Sequence, residues 1–473
     1  MSNEQIKFGT DGWRAIIADD FTVQSVRLVA QATAEYFLSL SPEPTAVIGY
    51  DTRFASSTFA KATAEVFAAN GVKTYLSREP VPTPVTSYGI VTRKATGGVV
   101  ITASHNPGNW NGFKVKTDNG SSLEPENVAI IEKRIHEMFP VEIKTIPATE
   151  AFAKGLLEYV SMFQEYADHI ATLVDLDAIR KSDIKIAIDS MHGAGIGYMK
   201  RILNCGNKVA ELHNDINPLF PDMNQPEPID ANLHSLSSFI KSEHYDVGLA
   251  TDGDADRLGV IDENGVFMTQ LEVCALLAYY LLEFRKERGP IIKSITTTDM
   301  LFGLSKLYNI EVKEVNVGFK YVAPEMIKSA AIMGCEESGG YGFCKHIPER
   351  DGILAGLYFI DLMLKTNMKP SEILKKIFDL VGPHYYNRID VKFDGSKREA
   401  LIAKLEQERP DEILGVKVLD VHDDDGFKYH LEDGSWMLIR FSGTEPLLRT
   451  YAEADSPEKV KALLKECAKL AGL

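Results

Sequence analysis

A strand, a helix and a second strand recur three times along this chain of 473 residues, and any fold it adopts must accommodate that repeat. The first copy is Ala46 to Asp51, an alanine-rich helix, then Asn70 to Leu76. The second is Ile184 to Asp189, a glycine turn with a short helix, then Gly206 to Leu212. The third is Ile291 to Thr296, a helix near Asp299 to Tyr308, then Glu311 to Val315. A right-handed crossover makes each strand pair parallel and covers it with helix. Each copy then runs through another helix into a further strand: Thr96 to Ile101, Tyr245 to Ala250 and Ser329 to Met333. A polar loop follows each of those strands. The three loops are Ser104-His105-Asn106-Pro107, Asp252-Gly253-Asp254-Ala255-Asp256-Arg257 and Glu336-Glu337-Ser338-Gly339-Gly340. Loops at equivalent positions of three similar domains can face one cleft.

The last hundred residues break the pattern. Strand-like runs at Ile389 to Phe393, Val416 to Val421, Phe427 to Leu431, Trp436 to Phe441 and Leu447 to Ala454 alternate with helices at Lys397 to Glu408 and Pro457 to Ala471. This predicts an antiparallel sheet with helices on one face. The expected architecture is three similar α/β domains with mixed sheets, at 1–150, 151–260 and 261–368, and a C-terminal α+β domain at 369–473.

Composition narrows the function. A net charge of −16 provides no basic field for nucleic acid. It also means that an anionic substrate must be captured by a local cluster of Arg and Lys. The five cysteines include no Cys-x-x-Cys, which argues against a disulfide framework or a thiolate zinc site and for a reducing compartment. The first residues lack the basic and apolar runs of a signal peptide. The most apolar helix, around Leu271 to Phe284, contains Glu272 and is too short to span a bilayer. The expected setting is cytoplasmic, without membrane association.

The serine loop carries the first chemical signal. The run Gly98-Val99-Val100-Ile101 leads into Thr102-Ala103-Ser104, and Pro107 ends regular structure, so one serine is presented at the carboxyl end of a buried strand. The Gly-x-Ser-x-Gly elbow of a hydrolase is absent. His105 is adjacent to the serine, which is poor geometry for a general base. The simpler reading is a Ser/Asn turn with a capping role.

The second loop is the strongest metal signal. Residues two apart in an extended segment share a face, so Asp252, Asp254 and Asp256 can converge. Carboxylates without Cys or His suit a hard cation such as Mg²⁺. An EF-hand loop would place Glu263 at its twelfth position, but it needs glycine where Arg257 stands and a helix where this chain has a strand. A solvated acidic turn is the remaining alternative.

Other clusters point to phosphate and sugar. Arg440, Ser442, Gly443 and Thr444, with Arg449 beyond, form a candidate phosphate cradle, since paired guanidinium groups bind phosphate bidentately. A hairpin with surface arginines reads equally well. Glu336 and Ser338 can share two sugar hydroxyls, or belong to a glycine-rich turn. Lys114 and Lys116 alternate on one face, and Lys320 adds a cation after a strand. Gly193-x-Gly195-x-Gly197 is not a dinucleotide fingerprint and reads as a tight helix-entry turn; no P-loop motif occurs.

Together these motifs resemble the α-D-phosphohexomutase family, from Phe8-Gly9-Thr10-Asp11-Gly12-Trp13-Arg14 to the Arg440 loop. The resemblance implies four domains around a central cleft and a phosphoserine at Ser104. It implies Mg²⁺ held by Asp252, Asp254, Asp256 and the serine phosphate. Glu336 and Ser338 would grip sugar hydroxyls, while Arg440, Ser442, Gly443, Thr444 and Arg449 hold the non-reacting phosphate. Arg14, His105, Lys114 and Arg257 would surround the transferring phosphoryl group, with Lys114 moving the proton at the sugar hydroxyl. Within the family, the Gly318-Phe319-Lys320 stretch and the sugar loop are most similar to phosphoglucomutases. Cys335 stands where that loop usually has glycine, and a positive φ there would strain it. The expected activity interconverts α-D-glucose 1-phosphate and glucose 6-phosphate through glucose 1,6-bisphosphate. Phosphomannomutase or dual specificity is the nearest alternative, because the two sugars differ only at C2. A metal phosphatase and a catalytically silent phosphosugar-binding protein are the alternatives from other classes. Oligomeric state is not legible.

Overall fold

Val47, Ile48, Val99, Val100 and Ile101 are all fully buried, as strands covered by helices on both faces require. The computed structural model describes residues 6–9, 11–137, 143–442 and 447–472. In each of the first three units the same four-stranded core recurs. The first-unit order is Lys73–Ser77, Thr45–Tyr50, Gly97–Ile101, Trp110–Lys116. The second is Val209–Leu212, Ile186–Asp189, Val247–Thr251, Leu258–Ile261. The third is Val312–Val315, Ile291–Ser294, Met333–Cys335, Tyr341–Phe343. The first three strands of each core run parallel and the last runs antiparallel. The three polar loops are therefore the turns into that reversed strand. The internal repeat thus builds three mixed sheets, each presenting one loop at the same place.

Several expected limits shift. The third copy's further strand is Met333–Cys335, not Ser329 to Met333, because helix Phe319–Ser329 runs on to Ser329 and Ala330 then turns in the left-handed region. The boundary expected at 150 falls inside helix Ala148–Ala153, and strand Leu157–Val160 then pairs with Lys73–Ser77 to complete the first sheet. The one expected at 260 falls inside strand Leu258–Ile261, which pairs onward with Phe267–Met268. The one expected at 368 precedes helix Pro370–Val381, whose Ile373 and Ile377 are buried in the core of the third unit. The three boundary shifts share one cause: tertiary packing draws elements beyond each expected limit into the preceding unit.

The C-terminal domain is a six-stranded antiparallel sheet in the order Tyr385–Lys392, Leu447–Ala454, Trp436–Phe441, Phe427–Leu431, Val416–His422, Glu412–Ile413. Its first strand starts earlier than the expected Ile389. Helices Arg398–Gln407 and Pro457–Ala471 cover one face, packing Leu401, Leu405, Leu463 and Leu464 against Phe427, Met437 and Ile439. The other face meets the third unit, where Trp436, Leu438 and Tyr451 pack with Ile295. The hydrophobic core is continuous through parts of the first three units, whereas the C-terminal domain has its own. Among the described residues, no helix is long and apolar enough to cross a membrane.

The assignment of helix Pro370–Val381 to the third unit has a measurable consequence. Ile377→Ala should destabilise that unit by about 2–5 kcal/mol, whereas Leu380→Ala, at an exposed position of the same helix, should change it by less than about 0.5 kcal/mol. Urea unfolding of the two variants provides the comparison.

Candidate active site

Ser104 is buried, and its backbone has a φ of 51°, in the left-handed region that non-glycine residues enter rarely. The strain is held by neighbours. Ser104 N–H donates to Thr102 Oγ1 at 2.8 Å, and Asn106 N–H closes a turn on Ala103 O at 3.0 Å. The Arg53 guanidinium donates to four loop carbonyls: Ser104 at 2.6 Å, Asn106 at 2.5 Å, Pro107 at 2.8 Å and Trp110 at 3.1 Å. Arg53 is fully interior and is paired with buried Asp51 at 3.1 Å. One arginine therefore fixes the whole serine loop.

This backbone turns the Ser104 hydroxyl to donate to Asp252 Oδ2 at 2.8 Å, joining the first two units. It also brings Oγ to 3.3 Å from His105 Nδ1. An adjacent histidine thus lies within hydrogen-bond reach of the serine despite the poor geometry expected of neighbouring side chains. Desolvation and the nearby Arg257, Arg14, Lys114 and Arg53 hold the His105 pKa well below the usual histidine value, so the ring is neutral. Arg14 donates to Asn106 Oδ1 at 2.7 Å on the same loop.

The three aspartates are fully buried and offer ligand oxygens within 4.8 Å of one another. Asp254 Oδ1 and Asp256 Oδ1 have no hydrogen-bond partner. Three buried aspartates this close together, two of them with an unpaired oxygen, fit a hard divalent cation such as Mg²⁺ better than zinc or copper. Burial, then the charges of Asp254 and Asp256, push Asp252 well above the ordinary carboxylate range. Burial would raise Asp254 too, but Lys114 at 2.8 Å and the Thr83 hydroxyl at 2.6 Å hold it below that range. The metal loop is set by close packing. A Cβ on Gly253 would stand 2.4 Å from Ser104 O, and one on Gly193 would stand 2.8 Å from Asp252 O. The glycine turn before helix Tyr198–Leu203 is thus both a helix entry and the backing of the aspartate loop. Glu263 lies elsewhere, with its carboxylate accepting from Ser371, which removes the EF-hand alternative.

Lys114 is buried against Asp11 at 2.7 Å, Asp254 at 2.8 Å and Asp256 at 3.4 Å. Burial alone would lower its pKa, yet these three carboxylates keep it above the ordinary lysine value and protonated. Arg350 completes the network, reaching Asp256 at 2.7 Å, Asp11 at 2.8 Å and Glu336 at 3.3 Å. Lys116, fully buried, pairs with Glu349 and donates to Ser122 at 2.8 Å. Arg257 is buried, pairs with Glu227 at 3.0 Å, and sends its backbone N–H to Asp252 Oδ1 at 3.1 Å. A β-bridge from Arg257 to Gly340 ties the aspartate loop to the sugar loop.

Most sequence-derived candidates are thereby brought together: Arg14, Ser104, His105, Lys114, Asp252, Asp254, Asp256, Arg257 and Glu336. Ser338 presents a hydroxyl with no hydrogen-bond partner in the same loop. Lys320 borders a cavity of about 180 Å³ together with Asp11, Gly12 and Ser122. The Arg440 ion pair, however, is to Asp425 at 2.9 Å, not to the serine–aspartate cluster. Arg449 sits directly opposite Arg440 on the neighbouring strand, and Ser442 N–H closes the loop on Leu447 O at 2.9 Å. Gly443 and Thr444 lie outside the described residues. Cys335 is not strained. It is a buried strand residue paired with Lys293 and Tyr341, and the left-handed position of that loop is Gly339, with a φ of 87°.

Profiles of the phosphoglucomutase/phosphomannomutase family match the chain in four parts: α/β/α domain I at 5–140, domain II at 164–265, domain III at 271–381 and the C-terminal domain at 394–470. A phosphoglucomutase/phosphomannomutase from Thermococcus kodakarensis is 31% identical over 98% of both chains. The chain belongs to the α-D-phosphohexomutase family. It is a phosphohexomutase, an intramolecular phosphotransferase acting on sugar phosphates. A phosphoglucosamine/phosphogalactosamine mutase from Sulfurisphaera tokodaii is 28% identical over 98% of both chains. A crystal structure from Thermus thermophilus, assigned by name to the phosphomannomutases, superposes with a TM-score of 0.85 at 33% identity over 99% of both chains. The relatives of this phosphohexomutase thus carry names from more than one substrate branch.

Sequence reasoning missed Arg53, Asp11, Glu349 and Arg350. Asp51-Thr52-Arg53 directly follows a buried strand, and Glu349-Arg350-Asp351 directly precedes the apolar helix Gly352–Thr366. Charge at the edge of an apolar run was the available signal.

Arg53→Leu should leave Asp51 buried without its partner and release the serine loop. The expected cost is about 3–5 kcal/mol in thermal unfolding, with loss of mutase activity. Metal binding should be linked to pH. The raised Asp252 and Asp256 favour the protonated folded state, so their contribution to stability is full below the unfolded carboxylate pKa and is lost as pH rises through the folded values. Mg²⁺ should therefore raise the melting temperature at neutral pH and have little effect near pH 4. Scanning calorimetry with and without EDTA checks this.

Proposed function

We propose that this phosphohexomutase interconverts α-D-glucose 1-phosphate and glucose 6-phosphate through a phosphorylated Ser104 and a glucose 1,6-bisphosphate intermediate. The observation that carries the proposal is the 2.8 Å contact of Ser104 Oγ with Asp252, beside two buried carboxylate oxygens that lack partners. A nucleophile, a cation site and a buried cationic group meet at one point, which is what phosphoryl transfer requires. Asp252, Asp254 and Asp256, with a phosphate oxygen on Ser104, would hold Mg²⁺, which supplies positive charge against the transferring group.

The remaining roles follow from charge and position. Arg14 and Arg257 flank the serine loop and offer guanidinium groups to the phosphoryl oxygens. Lys114 rests protonated, so it can deliver a proton to a sugar oxygen and recover it from the next hydroxyl. Neutral His105 stays within hydrogen-bond reach of Ser104 Oγ. Glu336, oriented by Arg350, and Ser338 face the sugar hydroxyls, with Lys320 across the cleft. Arg440, Ser442, Gly443, Thr444 and Arg449 hold the phosphate that is not reacting. Because the two phosphates exchange places in one cycle, this cradle serves both ends of the sugar.

Relatives named for mannose and glucosamine phosphates favour a second reading, in which the sugar loop admits a different or broader group at C2. One coupled assay comparing glucose 1-phosphate, mannose 1-phosphate and glucosamine 1-phosphate decides between them; glucose 1-phosphate should give the highest kcat/KM. Ser104→Ala should fold normally and lose mutase turnover by at least about 10³-fold. The wild-type peptide containing Ser104 should carry a phosphate mass. Near-normal turnover in the alanine variant, or stoichiometric release of inorganic phosphate by the wild type, contradicts the mechanism.

A further inference from the structure

A second group of candidate metal ligands lies where the third unit meets the C-terminal domain. Glu314, His422 and His430 each offer a ligand atom, all within 4.8 Å of one another. Glu314 is on strand Val312–Val315 of the third unit, while the histidines are on the C-terminal strands Val416–His422 and Phe427–Leu431. The register places Asp420 opposite His430 and His422 opposite Lys428. Residues two apart on a strand share a face, so Asp420, His422, Lys428 and His430 lie on one side of the hairpin.

His430 and Glu314 each keep an atom that no hydrogen bond occupies. His430 Nε2 is buried without a hydrogen-bond partner and stands 3.9 Å from Glu314 Oε2, too far for a hydrogen bond. Lys293 and Lys428 occupy the other oxygen, Oε1. Asp420 Oδ2 lies 2.6 Å from His422 Nε2, an anionic oxygen set against an imidazole as in many metal sites. The charges also permit a cation. Asp299, Glu314 and Asp420 are three carboxylates against two ammonium groups, Lys293 and Lys428. Two imidazoles and a carboxylate select a borderline transition ion, unlike the all-oxygen aspartate loop.

We propose that Glu314, His422 and His430 form a Zn²⁺-class site that bridges the third unit and the C-terminal domain. Its position bears on the cleft. The turn between the two histidine strands carries Asp425, which accepts from Val317 N–H at 2.8 Å and pairs with Arg440 at 2.9 Å. A metal at the bridge therefore ties the arginine hairpin to the stretch that leads into Lys320.

Zn²⁺ competed from a chromophoric chelator, in millimolar Mg²⁺ to fill the aspartate loop, tests the proposal. Wild type and Asp254→Asn should each bind one Zn²⁺ with affinities within about twofold of each other. His422→Ala, a change at an exposed side chain, should weaken that binding by about tenfold or more, and Glu314→Gln should do the same. No binding to the wild type, unchanged affinity in both His422→Ala and Glu314→Gln, or loss of binding in Asp254→Asn overturns it.

Discussion

The burial of Lys114 among Asp11, Asp254 and Asp256 is the interaction on which the rest of the structure depends. Charges taken out of water cost several kcal/mol each unless they are paired with good geometry. Here no single domain can do the pairing. Asp11 and Lys114 come from the first unit, Asp254 and Asp256 from the second, and Arg350 and Glu336 from the third. Each unit alone would bury unpaired charge, so the three stay together and the cleft is their shared ion network. The continuous apolar core behind it serves the same end.

The repeat explains why three unrelated loops meet there. Each four-stranded core ends in a reversed strand, and the turn into that strand falls at the same place in all three. The three loops then carry different groups: a serine, three aspartates, and a glutamate with a serine hydroxyl. The C-terminal domain sits outside this scheme, with its own core and an ionic contact to the third unit through Lys293, Asp299, Glu314 and Lys428. Burial and its neighbours set these charges as well. Burial and then Lys293 act most strongly on Glu314, where the lysines prevail and hold it at about 2.

Much of the site was legible because its residues are clustered in short motifs. Ser104, the three aspartates and Glu336 each follow a buried strand, and chain direction alone places such residues at one sheet edge. Arg53 and Arg350 were not legible in the same way. Beyond their near partners Asp51 and Glu336, they bind backbone carbonyls 51 or more residues away and carboxylates of other units, and no local pattern encodes those contacts. The limits of the secondary-structure elements near each expected boundary were hard to read for a related reason. Helix Pro370–Val381 has one apolar face and begins after a polar turn, so its sequence does not say which core will receive Ile373 and Ile377.

The sequence by itself determined the three-fold strand and helix order, the antiparallel C-terminal sheet, and the residue types of the cleft. Hydrophobic period and motif chemistry are local properties, readable from neighbours along the chain. Tertiary structure decided what those residues do electrically. It turned Ser104 into the left-handed region so that its hydroxyl meets Asp252 and His105, and it removed the charge from His105 through burial and four surrounding cations. It also left two aspartate oxygens without partners. Protonation state and metal affinity depend on burial and on charges from distant segments, and those exist only once the units have packed.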